Sequence, residues 1–184
     1  MNIYFDTEFE GLYKEANLIS LGMVSEDGQE LYFEFDNIDV QKQDNWIKQN
    51  VLNNTCLYGN VNLQDIVDEN NYFKGNKEQC KGVLLEWLKQ FDDVQFVSDV
   101  CHYDFVFLID IFGTAFDLPK NINPYCYDIN QDIMNLFNIN GKQAFNLSRE
   151  SILDNLGLSI QGQKHNSLYD AKVIKAIYEE ANLL

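Results

Sequence analysis

The chain is short of positive charge. It has 13 Lys and Arg against 29 Asp and Glu in 184 residues, a formal charge of -16. That balance excludes broad attraction to nucleic acid or to an anionic membrane, so any polyanionic substrate must be bound locally. Proline is scarce, at 2 residues, while 46% of residues are apolar and 14% aromatic, which excludes disordered and fibrous chains. The cysteines Cys56, Cys80, Cys101 and Cys126 lie more than about twenty residues apart with no C-x-x-C pair, so neither a zinc ribbon nor a disulfide framework is expected. No apolar run approaches the ~18 residues of a membrane span, and the N-terminus has no basic leader region and reaches an acid at Asp6. A cytoplasmic protein with no membrane partner is expected, built as one domain over residues 1–184 around one sizeable core.

The periodicity predicts strands over residues 2–5, 18–25 and 31–35, the last two joined through Asp27-Gly28, a dipeptide that closes a tight hairpin. Three antiparallel strands therefore open the fold. A helix capped by Asp44 should run to about residue 52. A second, over residues 77–91, carries Val83, Leu84, Trp87, Leu88 and Phe91 on one face toward the sheet. A fourth strand over 94–98 leads into a buried helix over 103–112, a fifth strand is expected over 125–129, and a short helix over 148–155 starts at Ser148 and stops at Gly157. The last helix spans 167–181 with Ala171, Ile174, Ile177 and Tyr178 inward. Strands first, then strands alternating with helices, indicate an α/β fold with a mixed sheet.

Three acidic patterns carry the chemistry. In Phe5-Asp6-Thr7-Glu8-Phe9-Glu10-Gly11, strand alternation places Asp6 and Glu8 on one face, about 7 Å apart. Paired carboxylates raise each other's pKa, and a hard divalent cation bound by oxygens removes the repulsion. An isolated D-x-E is commonly the polar face of an edge strand, but apolar Ile3 and Phe5 point to a central one. Glu10 shares the same parity, yet Gly11 ends the strand there and leaves Glu10 to solvent.

Asp104 falls inside the apolar run Tyr103, Phe105, Val106, Phe107 and Leu108, where a charge is rare unless paired or bound to metal. Asp99 at the strand–helix junction reads as the helix cap. In the third pattern His165 precedes a helix and Asp170 lies in its first turns. Both can face the end of the sheet, where a histidine near neutral pKa can take a proton from water. A surface histidine and a helix N-terminal acid are the plain alternatives.

In the order D-x-E, Tyr103-Asp104 and His165-x-x-x-x-Asp170, the set resembles the DEDDh family of 3'-5' exonucleases across nearly the whole chain. With Leu18 to Val24 and the Trp46-Ile47-x-x-x-Val51-Leu52 pattern, it is similar to the small mycobacterial-type exoribonuclease group. It departs from many DEDDh enzymes in one place: Val100 stands where they carry Asn, while the aromatic before the acid is retained as Tyr103. The resemblance implies an RNase H-like fold, a five-stranded mixed sheet with the first three strands antiparallel and helices on both faces. It also implies two Mg²⁺ or Mn²⁺ ions held by Asp6, Glu8, Asp104 and Asp170, with His165 as general base. Hydrolysis of RNA at a free, single-stranded 3' end would release 5'-mononucleotides, and a homodimer is a further implication.

In the family, Phe9 and Leu12 would lie under the terminal bases, and core packing is the alternative for Phe9. Lys164, Lys14 and Lys142 are candidate phosphate contacts or ordinary surface lysines. Two other readings stay open: a DNA-directed trimming or proofreading exonuclease, and an RNase H-like binding module without turnover. A calcium-binding protein is discounted because the D-x-D-x-D-G loop is missing.

Overall fold

A computed structural model describes residues 1–13 and 15–183, so Lys14 lies outside the described residues. Six strands form one sheet: β1 (Asn2–Phe9), β2 (Leu18–Ser25), β3 (Glu30–Phe35), β4 (Tyr72–Gly75), β5 (Val94–Ser98) and β6 (Ile122–Asp128). Their order is β4-β3-β2-β1-β5-β6, with β1, β2 and β3 antiparallel and the remaining pairs parallel. This is the mixed, RNase H-like arrangement expected, with β1 central. The hairpin turns where Asp27-Gly28 predicts it, with Gly28 at φ 87° and its N–H donating to the Ser25 carbonyl at 3.0 Å.

Among the described residues the strand count is six, not five. Four-residue β4 lies in a polar Asn-rich stretch and is defined only by its pairing with β3, a tertiary contact that no local alternation reveals. The β6 strand starts three residues earlier than expected and contains Pro124, which is tolerated because β6 is an edge strand.

Among the described residues, seven α-helices cover the sheet: α1 (Asn45–Asn50), α2 (Lys77–Leu88), α3 (Cys101–Phe112), α4 (Asn130–Phe137), α5 (Gly141–Asn146), α6 (Arg149–Leu156) and α7 (Ser167–Ala181). On one face α2 and α3 pack Leu84, Leu88, Leu108 and Phe112 against Ile3, Phe5, Phe33 and Phe96. On the other, α7 buries Leu168, Ala171, Ile174 and Ile177, with Tyr4 and Val97 beneath and α4 and α6 alongside. Each buried Leu or Ile side chain contributes about 1.5–3 kcal/mol, which is ample to dock α7. No helix among the described residues is long and apolar enough to cross a membrane.

Two local expectations are corrected. Asp99 does not cap α3: Val100 is the N-cap residue and makes no side-chain cap bond, because Asp99 is drawn off by a cation described below. Glu10 is not left to solvent; its carboxylate accepts from Asn17 Nδ2 at 2.7 Å and from Gln43 Nε2, tying down the turn after β1.

Candidate active site

Three elements converge at the end of the sheet where β1 finishes. β1 presents Asp6 and Glu8 on the face covered by α7. On the opposite face Thr7 donates to Asp104 Oδ1, from its hydroxyl at 2.6 Å and its backbone N–H at 3.3 Å. Ser98, at the end of β5, donates to Asp104 Oδ2 at 2.6 Å. Asp104 is therefore buried at 2% exposure yet fully hydrogen-bonded, which explains how an acid survives in the apolar first turn of α3.

The approach of α7 depends on Gly22, which pairs with Asp6 across β1 and β2. A β-carbon there would lie 2.2 Å from the Leu168 backbone nitrogen, so only glycine lets the N-terminus of α7 press onto β2. The Ser20 and Ser167 hydroxyls lock the contact at 2.9 Å. That approach carries Asp170 toward Glu8. Asp170 Oδ2 accepts the His165 N–H at 2.8 Å, and His165 Nδ1 faces Glu8 Oε1 at 3.5 Å. His165 stands at φ 62°, a left-handed backbone that costs a non-glycine residue about 1–2 kcal/mol. Its ring meets Trp46 edge-on with centroids 5.1 Å apart.

The acids form two neighbouring groups. One ligand atom each from Glu8, His165 and Asp170 lie within 4.8 Å of one another, as do oxygens of Asp6, Asp99 and Asp104. Burial, then the charges of Asp104, Asp170, Glu8 and Asp99, push the Asp6 carboxyl well above the usual carboxylate range. Burial, then Glu8 and Asp99, does the same to Asp170. Burial raises Asp104 to about 7 despite the donors from Ser98 and Thr7, and burial raises Glu8 against the lowering effect of His165. Asp6 Oδ2 is buried with no hydrogen-bond partner among the described residues. An all-oxygen acidic set with an orphaned buried oxygen is suited to hard divalent cations such as Mg²⁺ or Mn²⁺.

The expected set Asp6, Glu8, Asp104, His165 and Asp170 is thus assembled in one cleft of ≈ 740 Å³, a size suited to a small ligand or chain end. Phe9 and Leu12 also line that cleft. Phe9 stacks on Phe107 with centroids 4.8 Å apart, so it packs and lines the cleft at once, and Leu12 is 68% exposed. Lys164 stands at the rim, 3.3 Å from Glu150. Lys142 is exposed on α5 and does not line the cleft.

Sequence reasoning set Asp99 aside as a helix cap rather than a member of the cluster, and missed its partner. Arg149 Nε donates to Asp99 Oδ2 at 2.7 Å, while its other nitrogens hold the Ala144 and Leu147 carbonyls and Asn130 Oδ1. Arg149 is the one arginine in the chain, and that scarcity was the available signal.

The family model described as the 3'-5' exoribonuclease Rv2179c-like domain matches residues 1–181. The chain belongs to this exoribonuclease family. Membership places it among the 3'-5' exonucleases as an enzyme class. The 3'-5' exoribonuclease Rv2179c of Mycobacterium tuberculosis is 25% identical over 133 residues, covering 71% of this chain and 73% of that protein. Among solved structures, the nuclease domain of 3'hExo, a DEDDh family member bound to rAMP, superposes with TM-score 0.59 at 19% identity, covering 96% of this chain and 88% of that one. The Mg²⁺- and Mn²⁺-bound form of S. pombe Pop2p gives TM-score 0.59 at 16% identity over 97% and 81% of the two chains. At these identities the superpositions establish the shared fold. The family and the fold agree with the sequence motifs that point to them.

Proposed function

We propose that the chain is a divalent-metal-dependent exoribonuclease that removes 5'-mononucleotides one at a time from a free, single-stranded 3' end of RNA, acting as a single domain over residues 1–184. The observation that carries the reading is the convergence of Asp6, Glu8, Asp104 and Asp170 on one cleft beside His165, with Asp6 holding an orphaned buried oxygen. These four carboxylates would hold two Mg²⁺ or Mn²⁺ ions. When bound, the ions offset the phosphate charge, ease deprotonation of water and stabilise the departing oxygen.

The chain's own residues supply the rest. With His165 Nδ1 turned to Glu8, Nε2 is left to accept the proton of the attacking water. The new P–O bond forms as the bond to the 3' oxygen breaks, and the departing oxygen takes a proton from solvent to leave a 3'-hydroxyl on the shortened strand. Thr7 and Ser98 keep Asp104 oriented throughout. Phe9 and Leu12 would flank the terminal bases, where stacking on an aromatic is worth about 1–3 kcal/mol per base, and Lys164 would contact phosphate once released from Glu150. With a net charge of -16, few phosphates can be contacted, so the binding footprint should be short. Free cysteines at all four positions fit a reducing compartment, and we place the enzyme in the cytoplasm.

The test is end-labelled single-stranded RNA and DNA of equal sequence, incubated with Mg²⁺ or Mn²⁺ and sized. A descending ladder of 5'-labelled RNA, with 5'-mononucleotide product, is expected. Equal or faster loss of DNA would support the DNA-directed reading instead, and intact substrates would support a binding module.

A further inference from the structure

The acids explain where cations would sit, but not what holds His165 in a left-handed backbone that its β-carbon disfavours. The restraint comes from the segment after α1. Asn54 Nδ2 donates to the Lys164 carbonyl at 2.8 Å, the peptide oxygen immediately before His165, and to the Asn50 carbonyl at 2.6 Å. The Asn54 carbonyl accepts from Asn166 Nδ2 at 2.9 Å on the other side of His165. Asn166 Nδ2 also reaches the Tyr32 hydroxyl at 3.1 Å, and its Oδ1 caps α7 through the Tyr169 N–H. Both asparagines are buried.

The loop carrying Asn54 is itself immobilised. Glu34, fully buried on β3, accepts the Cys56 and Leu57 N–H groups at 2.7 Å each and the Tyr72 hydroxyl at 3.0 Å. A buried carboxylate with three donors is a firm anchor, since charge-assisted hydrogen bonds are the strong ones. Trp46, from the preceding helix, meets the His165 ring. One anchored segment, with the helix before it, therefore grips the backbone before the histidine, the side chain after it and the ring itself.

We propose that Asn54 is a positioning residue that sets the His165 imidazole for proton transfer by holding the Lys164 carbonyl. This rests on His165 being the general base. Loss of the bond would let the turn relax from its left-handed conformation and swing the ring, while the N–H of the same peptide stays tethered to Asp170 Oδ2 and Asp6, Glu8 and Asp104 keep their places. Small displacements of a proton acceptor are costly because general-base catalysis requires hydrogen-bond reach, and the whole effect is worth about 10²–10⁴-fold.

The experiment is a double-mutant cycle of Asn54→Ala and His165→Ala, read as kcat and KM on a short single-stranded RNA with Mn²⁺, and as Mn²⁺ affinity by calorimetry without RNA. We expect Asn54→Ala to lower kcat about 10- to 100-fold with KM and Mn²⁺ affinity unchanged, and the double variant to be no slower than His165→Ala alone. A further loss in the double variant, weakened Mn²⁺ binding, or parental turnover in Asn54→Ala would overturn the positioning role while leaving the base in place. Parental turnover in His165→Ala would overturn the base assignment and this inference with it. Should Asn54→Ala lose its cooperative melt, Asn54→Leu, which fills a similar volume without a donor, carries the same comparison.

Discussion

Replacing Asp6 by asparagine removes a charge from the cluster while breaking no described hydrogen bond, since Asp6 Oδ2 has no partner. The size of the effect can be gauged from its neighbour. Asp104 keeps three donated hydrogen bonds and is still lifted from 3.8 to about 7, a charging penalty of about 4 kcal/mol above neutral pH. Asp6 has no such donors and faces Asp104, Asp170, Glu8 and Asp99. Proton uptake by the crowded carboxylates limits that penalty, so we take about 2 kcal/mol as the relief on neutralising it. For a chain of this length that raises Tm by roughly 4–8 °C. In EDTA at about pH 8, Asp6→Asn should therefore melt above the parent. Saturating Mn²⁺ should reverse the order, because a cation at a hundred times its Kd adds about 2.7 kcal/mol to the parent, while the variant lacks a ligand and turns over at least about a thousandfold more slowly. Thermal melts with and without Mn²⁺ check both halves. A variant less stable than the parent in EDTA, or a parent Tm indifferent to Mn²⁺, would refute the electrostatic reasoning.

The pH dependence of the metal-free protein follows from the same carboxylates. Because the folded pKa of Asp104 is raised, the folded state binds more protons than the unfolded chain between about pH 4 and about pH 7. Stability is thus fully present below the unfolded value and is lost as pH rises through the folded one; melts in EDTA should fall from about pH 5 to about pH 8, and a rise would contradict the shift. Gly22→Ala should cost about 1–3 kcal/mol as the helix backs away from the new β-carbon, and should slow turnover about 10²-fold by moving Asp170, read by urea melts and RNA decay. Arg149→Met should destabilise by about 3 kcal/mol because it leaves Asp99 without its cation, and Asp99→Asn in the same chain should restore much of that loss; equal melts for the single and double variants would contradict the pairing.

The parts of the fold carried by local signals were legible in advance. Alternation and the Asp27-Gly28 turn define the opening hairpin, and the spacing of Ala171, Ile174 and Ile177 defines the inner face of α7. The site was legible for a related reason: Asp6-x-Glu8, Asp104 amid aromatics and His165 followed by Asp170 are polar groups that local packing does not explain. What escaped depends on partners distant in sequence. β4 is a strand only because β3 lies beside it, and the short helices α4 and α5 have too few turns to show a period. Asp99 looks like a helix cap until Arg149, 50 residues on, claims it. Gly22 looks like an ordinary strand glycine until the helix backbone is seen against it. Stacking and packing could not be separated for Phe9 from sequence, because the ring both packs on Phe107 and lines the cleft.

Anomalous scattering from crystals soaked in Mn²⁺ addresses the cation pair most directly. Two peaks are predicted inside the cleft, each within bonding distance of carboxylate oxygens from Asp6, Glu8, Asp104 or Asp170. No peak there, or Mn²⁺ bound only elsewhere on the acidic surface, would contradict it.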